Sequence, residues 1–110
     1  MIKVKVDRSE GRIHSFTISG HADYARKGQD IVCAGVSAVS FGSVNAIMEL
    51  TGIKPDIEQA GKDGGFFKVT FPEVDKETDE QVQLLLNGML VSLQTIENDY
   101  SKYMKMIIKQ

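Results

Sequence analysis

Apolar and polar residues alternate from the start of the chain: Ile2, Val4 and Val6 take every second place, and after Ser9-Glu10-Gly11 the alternation returns at Phe16 and Ile18. A period of two puts one set of side chains on one face of a strand. The polar tripeptide between the runs is turn material, so a β-hairpin is predicted here. From about Cys33 to Leu50 the period changes, with Val36, Val39, Phe41, Val44, Ile47, Met48 and Leu50 at helical spacings. Ala34, Ala38, Gly42 and Ala46 recur every four residues in the same stretch, giving this helix one stripe that another backbone can approach closely. Gly35 and Gly42 each cost about 1 kcal/mol of helix propensity, which packing or access to the nearby sulfur must offset. Thr51-Gly52 supplies a glycine stop and Pro55 prevents continuation.

Ile53 and Ile57 flank a short extended stretch, and Phe67, Val69 and Phe71 alternate after the turn-rich Gly61-Lys62-Asp63-Gly64-Gly65, which predicts a second hairpin. Thr78 followed three residues later by Gln81 reads as a capping box, and Val82, Leu85, Met89, Leu93 and Ile96 trace an apolar stripe behind it. A long amphipathic helix is therefore expected from about Glu77 to Ser101, and the alternation of Met104, Met106 and Ile108 suits a terminal strand. The predicted order is ββαββα, with a possible seventh element as a strand. The fold class is α+β: a mainly antiparallel sheet of about four to five strands with two main helices. No linker or repeat divides residues 1–110, so a single domain is expected. The pattern leaves open whether the helices take opposite faces of the sheet or leave one face bare.

Composition narrows the functional classes. At 110 residues, 42% hydrophobic and 25% charged, the chain suits an ordinary globular domain that folds without staples. A net charge of −2 gives no general attraction to phosphate backbones, so direct nucleic-acid binding is disfavoured. Lys102, Lys105 and Lys109 are the nearest approach to a local basic patch. MIKVKVDR leads straight into an alternating strand, no signal peptide is recognised, and no run of about 20 apolar residues suggests a membrane span. A cytoplasmic protein is expected. One cysteine forbids an internal disulfide, and one Cys with two His lacks the paired spacings of a zinc site, so neither metal nor other cofactor is expected.

Candidate chemistry gathers in residues 20–38, GHADYARKGQDIVCAGVSA. Cys33 stands at the start of the first predicted helix, where unpaired N–H groups and the macrodipole favour an anion. Beside an imidazolium, such a thiol is expected to titrate at roughly 3.5 to 7.5. His21, after Gly20 at the predicted strand end, can turn back over the helix start, whereas His14 lies within a strand. The bland alternative is a buried, inert cysteine. Asp30, three residues before Cys33, has two readings: a helix N-cap that occupies the Cys33 N–H, or a carboxylate that orients His21. Ser37 lies one turn beyond Cys33 on the same face. The polar loop from Ala22 to Gln29, with Gly28 as hinge and Tyr24 as a substrate contact, is a candidate lid.

SGHADYARKGQDIVCAGVSAVSFGSVNAI, residues 19–47, with MLVSLQTIE at 89–97, resembles the ribosomal-processing cysteine protease family, Prp or YsxB-like. The resemblance implies a cysteine endopeptidase that removes the N-terminal extension of large-subunit ribosomal protein twenty-seven, working as a homodimer without metal or cofactor. It carries the nucleophile to Cys33, the acid/base to His21 and supporting roles to Asp30 and Ser37. The implied partner is the N-terminally extended ribosomal protein. Set against it are a noncatalytic ribosome-associated protein- or RNA-binding factor and a redox sensor built on Cys33.

Overall fold

The computed structural model describes residues 1–26, 28–60 and 65–110. Lys27 of the candidate lid and residues 61–64 of the second predicted hairpin turn lie outside the described residues. The first hairpin is present as β1 (Ile2–Ser9) and β2 (Arg12–Ser19), which pair antiparallel through a turn where Glu10 and Gly11 have positive φ. A register irregularity after Asp7 bends its far end. α1 (Ile31–Thr51) follows, closed by Gly52 in the left-handed region with its N–H donated to the Met48 carbonyl. β3 (Asp56–Ala60) and β4 (Phe66–Thr70) form the second antiparallel pair.

α2 (Lys76–Asp99) begins earlier than the capping-box reading placed it. Asp75 is the N-cap, its carboxylate accepting the Thr78 N–H, so Thr78 is inside the first turn and supplies a backbone donor. An aspartate three residues ahead of a free N–H is as good an N-cap as threonine. The terminal strand is β5 (Met104–Lys109), and it pairs parallel to β1. The five strands run β3-β4-β2-β1-β5, antiparallel at every junction but the last. The architecture is the expected α+β arrangement, in the order ββαββαβ.

Registers assign the faces. Ile2, Val4, Val6, Phe16, Phe67, Val69 and Met104 are buried in one cluster with Val32, Val36, Val44 and Ile47 of α1 and with Val82, Leu86, Met89, Leu90 and Leu93 of α2. Both helices therefore cover the same face, and the opposite face, carrying Lys3, Lys5 and Lys105, is open. One alternating set of seven large residues buried on the sheet is the main source of stability, each worth about 1.5–3 kcal/mol relative to exposure.

α1 corrects one compositional expectation. Its best window has a mean hydropathy of 1.8, long and apolar enough to cross a membrane by composition alone. Val and Ile supply most of that value, and the Ala, Gly and Ser between them keep charge out without forming a continuous bulky run. The Val32, Val36, Val44 and Ile47 stripe is committed to the core, which is how the core helix of a globular protein behaves.

Candidate active site

β2 ends beside the start of α1, and that junction makes the cleft. Gly20 has φ +83, a conformation costly for any residue with a side chain, and its missing Cβ makes room for the backbone carbonyl of Met1. Its N–H donates to the Gly65 carbonyl at 2.9 Å, which ties the strand end to the approach of β4. The chain can then turn so that His21 faces α1. A cleft of about 540 Å³ is lined by His21, Asp23, Ala25, Gly28, Asp30, Cys33, Ala34 and Ser37. Five residues singled out from the sequence, His21, Gly28, Asp30, Cys33 and Ser37, thus share one depression.

Tyr24 does not join that lining. Its ring packs edge-on against Tyr103 and Tyr100, with centroids 5.0 and 5.8 Å away, so it pins the described part of the loop to the segment between α2 and β5. Gly20 acts on the cleft through the backbone. Gly28, at φ +87, has open space where a Cβ would stand. His14 lies elsewhere: its ring bonds with Ser9 Oγ and Arg12, and it lines a separate small cleft with Asp7, Arg8 and Lys109.

Asp30 is the N-cap of α1. Its Oδ1 accepts the N–H groups of Val32 and Cys33, both at 3.0 Å, and its Oδ2 accepts the N–H of Tyr24 at 3.0 Å. Of the two readings of Asp30, the geometry is that of the cap, and both oxygens are engaged by backbone. Desolvation works to raise the Asp30 carboxyl, but hydrogen bonds from the Cys33, Tyr24 and Ala25 backbone outweigh it and hold the pKa below the usual aspartate value.

The thiol behaves differently from the expectation. Burial pushes Cys33 up, and the charge and hydrogen bonding of Asp30 and the charge of Asp23 add to it, against the single favourable contact of the Ala22 N–H. That N–H lies 3.4 Å from Sγ. The expected lowering is reversed first because the thiol is taken out of water, and then because the cap that serves the helix start is itself an anion. The Asp30 side chain accepts the two N–H groups nearest Cys33, and the Asp30 carbonyl accepts the next, from Ala34. Among the described residues no hydrogen bond joins His21 to Cys33. In this state the site holds a protonated thiol and an imidazole in one open cleft.

Two contributors escaped the sequence reading. Among the described residues Ala22 supplies the one backbone donor to the sulfur. Gly65 stands behind the imidazole: a Cβ there would lie 3.1 Å from His21 Nε2, tighter than ordinary van der Waals contact. The only sequence signal for Gly65 was its place at the end of a glycine-rich run, which read as turn chemistry. Among the described residues no group of His, Cys, Asp and Glu is arranged to hold a metal. A thiol and an imidazole opening on a peptide-sized cleft can perform nucleophilic catalysis once the thiol loses its proton.

Comparison with known proteins agrees with that chemistry. The family model described as cysteine protease Prp matches residues 1–105. The ribosomal processing cysteine protease Prp of Bacillus subtilis is 51% identical over 102 residues, covering 91% of this chain and 90% of the relative. The protein of the same name from Staphylococcus aureus is 47% identical over 110 residues, covering 99% and 100%. A crystal structure of an essential ribosomal processing protease Prp from S. aureus, in complex with a covalently linked product peptide, superposes with a TM-score of 0.89 at 44% identity, covering 99% of this chain and 100% of that one. With a family match over nearly the full length and relatives about half identical across at least nine-tenths of it, the chain belongs to the cysteine protease Prp family and is a cysteine-type peptidase.

Proposed function

We propose that this peptidase removes the N-terminal extension of large-subunit ribosomal protein twenty-seven, with Cys33 as nucleophile and His21 as acid/base, residues 1–110 acting as one domain. The observation that carries the reading is the shared cleft, in which His21 and Cys33 are the only imidazole and thiol among the lining residues. Two crystal structures of one relative support the substrate class: S. aureus Prp has been crystallised with a substrate peptide and with a covalently linked product peptide.

The reaction begins when Cys33 gives its proton to His21. The thiolate adds to the scissile carbonyl, and the C–N bond breaks as His21 returns the proton to the leaving amine. Water, deprotonated by His21, then attacks the thioester, and the acid product and free thiol leave the cycle ready to repeat. No metal or cofactor takes part in this scheme. Negative charge on the carbonyl oxygen needs N–H donors, and the loss of one such donor typically costs about 100 to 1,000-fold in rate. The helix-start N–H groups of Val32, Cys33 and Ala34 are already held by Asp30 in this state. A bound peptide that takes its oxyanion donors from these three groups displaces or realigns the cap, and on this reading the machinery is completed by its substrate. That requirement suits a protease that must spare other proteins in the cytoplasm, where this one is proposed to act.

Ser37 is exposed on the cleft wall and is assigned a role in placing the peptide. The loop from Ala22 to Gln29 is assigned the role of lid, hinged at Gly28 and anchored at Tyr24. A homodimer is supported by the outward side of α1, where Ala38, Phe41 and Gly42 leave apolar surface exposed. The test is mass spectrometry of the extended ribosomal protein after incubation with wild type, Cys33→Ala and His21→Ala. One discrete cut by wild type, abolished in both variants, is expected. An intact substrate with wild type removes the proposed substrate, and equal cutting by Cys33→Ala removes the proposed nucleophile.

A further inference from the structure

The face of the sheet that neither helix covers is where charge departs from the chain's average. Lys3 and Lys5 on β1 alternate with the core residues Ile2, Val4 and Val6, so both point away from the core. The parallel register sets Lys105 of β5 directly beside Lys3 and Lys109 beside Asp7. Lys68 of β4 continues the row of Lys5 through Thr17 on β2. Three acids share the face, but each is placed against a base or at the rim. Asp7 lies opposite Lys109 and accepts from Ser15 Oγ, Glu58 lies opposite Lys68, and Asp56 is on the edge strand β3.

Lys3, Lys5 and Lys105 are left as a block of exposed cations with no acid beside them in register and, among the described residues, no ion pair. Like charges directly opposite on neighbouring strands destabilise a sheet, so the Lys3–Lys105 pair costs the fold something and calls for an anionic partner. The acids that make the whole chain negative are elsewhere. Glu73, Asp75, Glu77, Asp79, Glu80, Glu97 and Asp99 lie on or just before α2, with only Lys76 among them. The molecule therefore presents an acidic helical side and a basic sheet side, and the overall charge of −2 conceals the division. A long-range field of this kind orients a polyanion before contact.

We propose that the open sheet face docks RNA through its phosphates, with Lys3, Lys5 and Lys105 as the principal contacts. A second copy of the chain is the poorer occupant, because a two-fold interface would set the lysine block against lysines. The choice of RNA over another polyanion rests on the ribosomal substrate proposed above. Position also favours it: Ser19, the partner of Lys3 across β2, is followed at once by Gly20 and His21, so the basic block borders the end of the sheet that leads into the catalytic cleft. RNA held there brings a ribosome-bound substrate to the thiol.

The test is fluorescence anisotropy of a labelled RNA hairpin titrated with the protein across a salt series. Three phosphate contacts predict a log–log salt slope of about −2 to −3, or roughly 20- to 40-fold weaker binding between about 50 and 200 mM salt. The variant Lys3→Glu/Lys5→Glu/Lys105→Glu should lose at least about tenfold in affinity and most of that slope. The same triple change to Gln should lose the slope while sparing the fold, and Lys76→Glu on α2 should bind as wild type. Cleavage of a short extended peptide should be unchanged in all of these, so failure of RNA binding and failure of the protease reading are separable. Absence of salt-dependent binding by wild type, or wild-type affinity in a folded triple variant, overturns the proposal. Equal competition by polyglutamate overturns the choice of RNA and gives the face to an acidic protein.

Discussion

Asp30→Asn separates the two jobs of the carboxylate. Asn ranks with Asp as an N-cap, so its oxygen can keep the bonds from Val32 and Cys33. The charge assistance and the Tyr24 bond are lost. For a half-buried site that loss is about 1 kcal/mol, whereas Asp30→Ala, which also removes the cap, should cost about 2 kcal/mol. Thermal melts should fall by roughly 4 °C for Asn and 8 °C for Ala. The thiol should move the other way. Asp30 contributes both charge and hydrogen bonding to the rise in the Cys33 pKa, so its neutralisation lowers that pKa and puts more thiolate in solution at a given pH. The assay is the pH profile of iodoacetamide alkylation: the midpoint in Asp30→Asn should be lower than in wild type and the rate at neutral pH higher. A midpoint unmoved or raised would refute the reasoning, because the carboxylate would then not add to the burial that holds the proton on sulfur.

Three further outcomes follow from the same geometry. Gly65→Ala places a Cβ 3.1 Å from His21 Nε2 and should displace the ring by a few tenths of an ångström, lowering kcat several-fold with KM and melting temperature nearly unchanged; an unaltered kcat would mean that the ring needs no fixed seat. Gly20→Ala must hold a side chain at φ +83 against the Met1 carbonyl and should cost about 2 kcal/mol or more, seen as a drop of roughly 8 °C in the melt, whereas a wild-type melt would deny the close approach. Asp30 and Asp75 both have lowered pKa values, so the stability they contribute is complete above the unfolded-state value near about 3.9 and is lost as pH falls through the lower folded values. Melts taken on that acid limb should be flatter in Asp30→Asn than in wild type, and parallel curves would contradict the assignment.

Local pattern carried the elements further than it carried their assembly. Alternation in Ile2-Val4-Val6 and the glycine stop at Gly52 are short-range signals, and the strands and helix they predict are present. The start of α2 lies within one residue of the expected Glu77, but its cap is Asp75 rather than Thr78, because two acceptable caps stand three residues apart and the carboxylate takes the donor that Thr78 offers. That β5 lies parallel to β1 is a property of the crossover through α2, and no local pattern expresses it. The same holds for the bare basic face, since Lys3 and Lys105 are about a hundred positions apart in the chain and neighbours only through that pairing. At the site, spacing brought His21, Asp30, Cys33 and Ser37 to one cleft, but the thiol's shift depended first on the burial of its sulfur and then on where the Asp30 oxygens point, and spacing expresses neither. Dipole arguments treat a helix start as positive, and here its donors are already neutralised by the cap.

The central claim is that Cys33 becomes acylated during peptide cleavage, and intact-mass spectrometry of the protein quenched during turnover of an N-terminally extended peptide tests it most directly. The account predicts a transient gain equal to the acyl fragment, mapped by digestion to Cys33 and missing in Cys33→Ala. Steady cleavage with no adduct on Cys33, or cleavage that persists in Cys33→Ala, would contradict it.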